Sequence, residues 1–575
     1  MSINTDKLFD SLLGNLSIEE KIAQMLVFGV TGAIVDPLLT EFTRKYGLGG
    51  LRISPQADRK AARYLPPGTA GMKNTDRPLQ WREKMLGTKV RSPLMPPDFY
   101  AAMLNEIRRP VFERRELGLP LHIVTDCESG GGDYSPPFMI SMPNAMGFGD
   151  LGDLDLLERS WYAMGEQLKA VGIDWLHSPV VDVNVNPLNP EISVRAFGKD
   201  AEVTTRCAAA SIRGMKRAGM ISTLKHFPGR GDSVDDAHFG LPCINASYED
   251  MMNIHIRPYA ELIRENMVQS VMLAHSLFPS LDPSKEVATV SEKIIRGVLR
   301  EELGFNGVIT TDSLTMGGLM ARYSVSEACI LAINCGVDLM LLKTENALRF
   351  ELHRDLVNAV KSRRIKESTI DASLLRIWKL KHANRLFENG GKVNPAAAAV
   401  TIQEKRFQDI SREASRKVMR VMRLEDGTLP LKPKQNILIV DRVTDLQLRR
   451  NDYWNYPGML FNFMRNYTEN LGYVDYDGKT ISEAQEKISQ IIEHVDVIVV
   501  TTDFNRNDPE LNSRAFVSDL TKLGKTVIQI SSSPIKELCI PDEVKNVIIT
   551  YGVMREQLQC VAEFLFTGQS DRTNV

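Results

Sequence analysis

Short, almost uninterrupted apolar runs alternate along this chain with longer amphipathic segments. Eight such runs occupy residues 25–30, 49–54, 122–126, 178–184, 222–226, 270–276, 307–312 and 337–342. Between them lie stretches such as residues 155–171, whose apolar side chains recur about once per helical turn. Apolar strands separated by helices are typical of a parallel sheet that is buried on both faces. Eight repeats of this unit predict an α/β fold with a (β/α)8 barrel of the TIM type.

A second pattern of the same kind begins after residue 400. Apolar runs at residues 436–440, 495–501, 526–530 and 546–550 alternate with helical segments. This pattern predicts a smaller α/β sandwich domain with a mostly parallel sheet. Residues 389–400 are rich in Gly, Pro and Ala and are typical of a linker. We therefore expect a barrel domain over residues 1–388 and a carboxyl-terminal domain over residues 401–575.

One connection in the predicted barrel is much longer than the others. It is an insertion at residues 56–110, and its part from 56 to 100 carries nine basic and four acidic residues. Connections that follow barrel strands emerge on the face that carries the site. We expect this segment to cover the pocket and to contact substrate through Tyr64, Arg77, Trp81 and Arg82. The alternative is that it packs beside the barrel or forms a subunit contact.

Composition excludes several classes of function. The chain has 575 residues, a formal charge of -2 and 43% hydrophobic residues, so it is expected to be a globular protein with at least two cores. The near-neutral charge disfavours a dedicated nucleic-acid-binding role, and no apolar run is long enough to cross a bilayer. Seven dispersed cysteines and an amino terminus without a signal-peptide pattern favour the cytoplasm.

The candidate chemistry follows the predicted strands. Residues 225–242, KHFPGRGDSVDDAHFGLP, place Asp236 two positions before His238. A carboxylate at this spacing can accept from one ring nitrogen and leave the other for a substrate; the alternative is an ordinary surface hydrogen bond. Asp312 ends another predicted strand and is a candidate nucleophile or charge stabiliser. The alternative for Asp312 is a helix cap.

Two other patterns carry less weight. Residues 147–152 match GxGxxG, but no strand precedes them, and Asp150 and Asp153 would repel a pyrophosphate. We interpret this stretch as a turn that enters the next helix. A metal site built from His226, His238 and an Asp is an alternative use of these side chains. We expect neither a metal nor a cofactor.

Several motifs together carry a family resemblance. Residues 225–242 and 307–318 resemble the bacterial β-N-acetylglucosaminidases of glycoside hydrolase family 3, whose pattern reads KHFPGHGDTxxDSH plus a strand that ends in Asp before LxMG. Residues 126–128 resemble the family's Asp-Gln-Glu, and residues 189–198 resemble its NPxIxxRSFG. The chain departs from the pattern at Arg230 and Ala237, which replace a His and a Ser. It also reads Ser-Gly-Gly-Gly over residues 129–132, where the family has Gly-Gly-Arg.

The resemblance implies a retaining, exo-acting β-glycosidase that hydrolyses terminal β-N-acetylglucosaminides by double displacement. In that scheme Asp312 is the nucleophile, His238 is the acid/base, and Asp236 orients His238. The positions that match the family's sugar-binding residues are Asp126, Arg195, Lys225, His226 and Met316. A β-glucosidase, a glycoside phosphorylase and a non-catalytic sugar-binding protein stay open as alternatives. The expected partner is a small carbohydrate, with neither nucleic acid nor membrane, and a homodimer stays open.

Overall fold

The structure is a computed structural model. It describes residues 5–31, 36–54, 95–113, 118–128, 136, 138–238, 240–343, 347–443, 456–477, 480–503 and 513–570. Residues 56–94 of the predicted insertion, with Tyr64, Arg77, Trp81 and Arg82, therefore lie outside the described residues. Residues 97–110, the other end of that insertion, are helical and belong to the helix Pro97–Glu113. No helix within the described ranges combines the length and the hydropathy needed to span a membrane.

The first sheet is a barrel of eight parallel strands. In chain order they are β1 Leu26–Thr31, β2 Gly50–Ser54, β3 His122–Thr125, β4 Trp175–Leu176, β5 Ile221–Phe227, β6 Ser270–Leu273, β7 Val308–Thr311 and β8 Met340–Leu342. Each strand pairs with its neighbour in sequence, and β8 pairs with β1. A parallel bridge between Thr310 and Leu339 joins β7 to the approach of β8 and closes the ring. The predicted barrel is confirmed.

The second sheet has six strands and is mostly parallel, as predicted. They are β9 Arg420–Arg423, β10 Ile437–Arg442, β11 Leu471–Tyr476, β12 Val497–Thr502, β13 Thr526–Ser531 and β14 Asn546–Ile549. The spatial order is β11-β10-β12-β13-β14-β9, with β9 antiparallel to β14. The apolar-run criterion missed β9 and β11. Both are edge strands that mix charged and apolar residues: the side chains of β9 are all partly buried, and in β11 only Val474 and Tyr476 are fully buried.

Helices cover both sheets. The helical segments are Thr5–Asn15, Ile18–Gln24, Pro37–Tyr46, Pro97–Glu113, Ala145–Leu151, Leu154–Ala170, Ser193–Arg195, Ala201–Arg217, Tyr248–Asp250, Met251–His255, Arg257–Arg264, Ala288–Val290, Lys293–Glu302, Gly317–Met320, Val325–Cys335, Leu348–Lys361, Glu367–Ala383, Leu386–Asn389, Pro395–Ile402, Lys405–Val418, Met459–Met464, Ile481–Ile491, Ile492–His494, Ser513–Thr521, Lys536–Cys539 and Arg555–Thr567. Part of the predicted linker is therefore helical, with Asn394 as its N-cap. The predicted domain boundaries at residues 388 and 401 stay predictions.

The fourth predicted strand is wrong in its position. The strand is Trp175–Leu176, and residues 178–184 form a buried loop with a single bridge from Val180 to β5. The side chain of Asp182 accepts hydrogen bonds from the backbone N–H groups of His226 and Arg230 at 3.2 and 2.8 Å. The Asp182 carboxylate thus accepts hydrogen bonds from backbone N–H groups that would otherwise donate to the carbonyl groups of a neighbouring strand.

The GxGxxG stretch is also not the predicted turn. Residues Ala145–Leu151 form a helix that ends at Gly152, whose φ of 75° is the left-handed conformation that favours glycine. A Cβ at Gly149 would lie 1.7 Å from the carbonyl oxygen of Phe197. These glycines therefore serve a helix end and a close backbone approach.

Helix packing around the barrel generates a stability prediction. A Cβ at Gly214, in the helix Ala201–Arg217, would lie 2.4 Å from the carbonyl oxygen of Glu158 in the helix Leu154–Ala170. We expect Gly214→Ala to lower the free energy of unfolding by about 1–3 kcal/mol through overpacking. The control is Gly297→Ala, which is also helical but has open space around the new methyl group. Thermal unfolding of both variants checks this, and equal midpoints would contradict it.

Candidate active site

Polar side chains converge at the carboxyl ends of the barrel strands. Asp126 follows β3, Lys225 and His226 lie within the last three residues of β5, and Asp312 follows β7. Each of these four side chains is at most 8% exposed. Because parallel strands end at the same rim of a barrel, residues far apart in sequence meet here. The structure thus brings the predicted residues of these strands together.

The segment after β5 holds His238 beside Asp236. His238 Nδ1 lies 2.7 Å from Asp236 Oδ1, and the backbone N–H of His238 donates to the same oxygen at 2.8 Å. A carboxylate can only accept, so Nδ1 carries the hydrogen, and Nε2 is the nitrogen left for a reacting group. The ring is 22% exposed, whereas Asp236 is 7% exposed. The predicted dyad is present, with its imidazole as the solvent-facing member.

Backbone hydrogen bonds join this segment to the one that carries Asp312. The N–H groups of Gly317 and Gly318 donate to the carbonyl oxygens of His238 and Ala237 at 3.2 and 3.1 Å. A Cβ at Gly318 would lie 2.3 Å from the carbonyl oxygen of Gly240. Glycine is therefore required for this close approach. The segments with the candidate nucleophile and the candidate acid/base are thus held together by their main chains.

Met316 directly precedes the two glycines that make these backbone contacts. It is 2% exposed and precedes the short helix Gly317–Met320. Its N–H donates to the carbonyl oxygen of Ser313 at 3.0 Å. The predicted sugar-binding residue Met316 is therefore at the rim, with its side chain packed inside.

Asp312 is surrounded by cationic and imidazole groups. Its Oδ2 lies 3.7 Å from Arg230 Nη2 and 3.9 Å from His226 Nε2, and its Oδ1 accepts from the N–H of Ser313 at 2.6 Å. Burial alone would raise the pKa of Asp312. The charges of Lys343 and Arg230 outweigh burial and hold this pKa well below its usual range. Asp312 is therefore ionised, as a carboxylate nucleophile must be.

His226 faces Asp312 as a neutral ring. Its Nδ1 lies 2.7 Å from Asp182 Oδ2. Burial, followed by the nearby charges of Arg230 and Arg195, lowers the pKa of His226 well below its usual range. Burial also raises the pKa of Asp182 to about 6. At neutral pH the ring is therefore neutral and Asp182 is mostly ionised, and the hydrogen bond between them fixes the ring's orientation.

Cationic and imidazole side chains also surround a second carboxylate, that of Asp126. Arg52 Nη2 and Lys343 Nζ lie 2.6 and 2.8 Å from its Oδ2, and His177 Nδ1 lies 2.9 Å from its Oδ1. Burial would raise the pKa of Asp126, but Lys343 and Arg52 hold it well below its usual range. This carboxylate is ionised and can accept hydrogen bonds from hydroxyl groups.

Glu128 connects two of the predicted sugar-binding residues. Arg195 donates to it from Nε and Nη2, both at 2.7 Å, and Lys225 Nζ lies 2.7 Å away. Burial would raise the pKa of Glu128, but the charges of Arg195 and Lys225 lower it to about 2. The bidentate geometry fixes the guanidinium plane of Arg195. Arg195 and Lys225 are thus preorganised donors at one wall of the site.

Sequence reasoning missed several residues of this site. The missed side chains are Arg52, Glu128, His177, Glu191, Arg230 and Lys343. Arg52 is the third residue of β2, inside a strand predicted from an almost uninterrupted apolar run. A charge within an otherwise buried strand was the available signal, because such a charge requires a buried partner.

One group in the described part of the chain has metal-ligand geometry. The ligand atoms of Glu191, Asp236 and His238 all lie within 4.8 Å of one another. The predicted alternative of His226 and His238 with an Asp is not the group that forms. Arg230 Nη2 already lies 2.8 Å from Glu191 Oε1. This fixed cation at the Glu191 carboxylate disfavours a metal ion there.

Comparison with known proteins assigns the fold and the family. Residues 85–380 match the model of the glycosyl hydrolase family 3 N terminal domain. That range is just over half of the chain and contains β3 to β8 together with the predicted catalytic residues and the predicted sugar-binding residues that match the family's motifs. The chain belongs to glycosyl hydrolase family 3.

Individual relatives agree with this assignment. "Beta-hexosaminidase A" of Pseudoalteromonas piscicida is 30% identical over 341 residues, which cover 56% of this chain and 56% of that protein. A family 3 β-N-acetylglucosaminidase from Paenibacillus sp. str. FPU-7 superposes with a TM-score of 0.80 at 25% identity, over 96% of this chain and 97% of that chain. A β-glucoside phosphorylase has a TM-score of 0.79 at 21% identity, over 99% and 96%, and shares the fold.

Proposed function

We propose that this family 3 chain is a retaining, exo-acting β-glycosidase that hydrolyses terminal β-N-acetylglucosaminides. The observation that carries the proposal is an ionised Asp312 whose segment is hydrogen-bonded to the one that holds the Asp236–His238 pair. The whole-length β-N-acetylglucosaminidase likeness supports the substrate class.

None of the seven cysteines, all of them in the described part of the chain, forms a disulfide, which favours a reducing compartment such as the cytoplasm.

In the first step Asp312 attacks the anomeric carbon of the bound sugar. A carboxylate lone pair forms the new C–O bond, and the electron pair of the broken glycosidic bond moves to the leaving oxygen. His238 gives that oxygen the proton from Nε2, while Asp236 retains the hydrogen on Nδ1. The products of this step are the freed alcohol and a glycosyl ester of Asp312.

In the second step His238 takes a proton from water. The resulting hydroxide oxygen attacks the anomeric carbon and displaces the Asp312 carboxylate, so configuration is retained overall. Asp126 accepts from sugar hydroxyls, and Arg195, Lys225 and His226 contribute donors or fix neighbouring groups. These side chains meet in one site, where the ionised carboxylates of Asp126 and Glu128 are already paired with cationic side chains.

A second candidate function is phosphorolysis on the same site. The observation that favours it is the use of an imidazole where two-carboxylate glycosidases use a carboxyl group. After the first step His238 is neutral, so it repels an anionic phosphate less than a carboxylate would. Phosphate would then replace water and yield a glycosyl phosphate.

Asp312→Asn tests the nucleophile. The amide is nearly isosteric but cannot form the ester, so turnover of a 4-nitrophenyl β-N-acetylglucosaminide should fall by several orders of magnitude with the fold retained. Asp338→Asn is the matched control, because Asp338 is a buried carboxylate that pairs with Arg300 and Arg376 just before β8. Steady-state kinetics and circular dichroism supply the measurements. Turnover near the wild-type rate in Asp312→Asn would refute the assignment.

His238→Ala tests the acid/base. A nitrophenolate leaves without a proton, whereas a sugar alcohol does not, so the first step should slow by about 10²–10⁴-fold on a disaccharide and far less on the nitrophenyl glycoside. Asp236→Asn should show a weaker form of the same difference. Single-turnover rates on the two substrates measure it. Equal losses on both would assign His238 another role.

Product analysis separates hydrolysis from phosphorolysis. We expect free N-acetylglucosamine as the product whether or not inorganic phosphate is present. A glycosyl phosphate that accumulates with phosphate, with a matching rise in rate, would instead establish phosphorolysis. The wild-type enzyme with a single glycoside and phosphorus NMR of the products suffices, and Asp312→Asn serves as the blank.

A further inference from the structure

Two buried residues that are not part of the family pattern, Arg230 and Glu191, lie against each other in the site. Arg230 stands where the resembled pattern has a His, and Glu191 occupies an unspecified position of the segment 189–198. Arg230 Nη2 lies 2.8 Å from Glu191 Oε1, and both side chains are 1% exposed. Removing two charges from water costs several kcal/mol per ion. An ion pair that is buried in the site despite this desolvation cost is a candidate for a role in the reaction.

The pair bridges the candidate nucleophile and the candidate acid/base. At one end, Arg230 Nη2 is 3.7 Å from Asp312 Oδ2. At the other end, Glu191 Oε1 is 3.2 Å from His238 Nδ1, and Glu191 Oε2 accepts from the N–H of Ala237 at 3.3 Å. Glu191 therefore faces the side of the imidazole that Asp236 also faces, from a different barrel connection.

The charges along this line alternate. The order is Asp312 negative, Arg230 positive, Glu191 negative and His238 positive when protonated. Asp236 is the other charged side chain at His238 Nδ1, at 2.7 Å. Formation of the ester removes the charge of Asp312, and proton transfer to the leaving oxygen removes the charge of His238. Asp312 and His238 thus lose their charges in the same step, and the opposite charges of Arg230 and Glu191 still compensate each other.

We propose that Glu191 and Arg230 are positioning residues that couple the protonated state of His238 to the ionised state of Asp312. Glu191 favours the imidazolium that donates the proton, and Arg230 favours the carboxylate that attacks. Glu191 and Arg230 also compensate each other's charge. The site therefore carries no excess charge from this pair after Asp312 and His238 have lost theirs. This inference rests on the proposed function, because it assigns the two residues to that same reaction.

Three variants test the coupling: Glu191→Gln, Arg230→Gln and the double variant. Loss of the carboxylate disfavours the imidazolium, so the alkaline limb of kcat/KM on a disaccharide should move to lower pH by about one unit in Glu191→Gln. In Arg230→Gln the Glu191 carboxylate loses its partner cation and favours the imidazolium of His238 more strongly. The alkaline limb of this variant should therefore move to higher pH. In the double variant the two shifts should largely cancel.

A purely structural role predicts a different result. All three variants would then lose thermal stability and activity while the alkaline limb stayed at the wild-type pH. Asp338→Asn is the matched control for loss of a buried carboxylate, and it should lower the unfolding temperature without moving the limb. Limbs that stay in place, or that move in the same direction in both single variants, would overturn the proposal.

A titration separates this inference from the proposed function. If the wild-type enzyme turns over no β-glycoside, the proposed function fails. The ring signals of His238, followed by NMR against pH, still test the pair. The titration midpoint of the ring should fall in Glu191→Gln and rise in Arg230→Gln, and midpoints that do not change would overturn the inference.

Discussion

Charge compensation in a buried site is the constraint on which the rest of this structure depends. Asp126, Glu128, Glu191 and Asp312 are all largely withdrawn from water, and each has a cationic side chain within 4 Å. An isolated carboxylate in such surroundings would take up a proton. The compensating cations keep these groups ionised, so the site can hold a candidate nucleophile and candidate hydroxyl acceptors in their charged form. Such preorganisation is what electrostatic catalysis requires.

The barrel supplies the geometry that makes this compensation available. Cations from β2, β5 and the residue after β8 lie within 4 Å of a single carboxylate at the end of β3, although Arg52, Lys225 and Lys343 are 74, 99 and 217 positions away from Asp126 in the chain. The hydrogen bonds from Gly317 and Gly318 then fix the segment after β5 to the one after β7. The candidate acid/base and the candidate nucleophile are consequently placed by backbone contacts, which tolerate side-chain changes elsewhere in the site.

One departure from the resembled family pattern changes the charge of the site. Arg230 replaces a pattern His with a permanent cation, and Glu191 supplies the matching anion at 2.8 Å. Elsewhere in the site, Arg52 and Lys343 lie beside Asp126, at 2.6 and 2.8 Å. Each of these charges has a counter-charge within ion-pairing distance. The chain therefore places a permanent cation at a position where the resembled pattern has a His, and it retains Asp236, His238 and Asp312 of that pattern.

The sequence by itself determined the alternation of strands and helices, the two sheets and the motif residues Asp236, His238 and Asp312. These features are local: apolar runs, turn residues and short spacings are written in contiguous positions. Edge strands β9 and β11 escaped because half-buried strands lack that contiguous apolar signal. The position of β4 escaped because Asp182, through its side chain, accepts hydrogen bonds that belong to no local pattern.

Only the tertiary structure decided which charges meet. Glu191 and Arg230 lie 39 positions apart, and Arg52 and Asp126 lie 74 positions apart. Neither pair shares a periodicity or a motif, so nothing local marks its members as partners. Pairing of this kind depends on strand order, on closure of the barrel and on the exclusion of water from its rim. Those are properties of the assembled chain, because an ion pair acquires its strength from burial that no single segment provides.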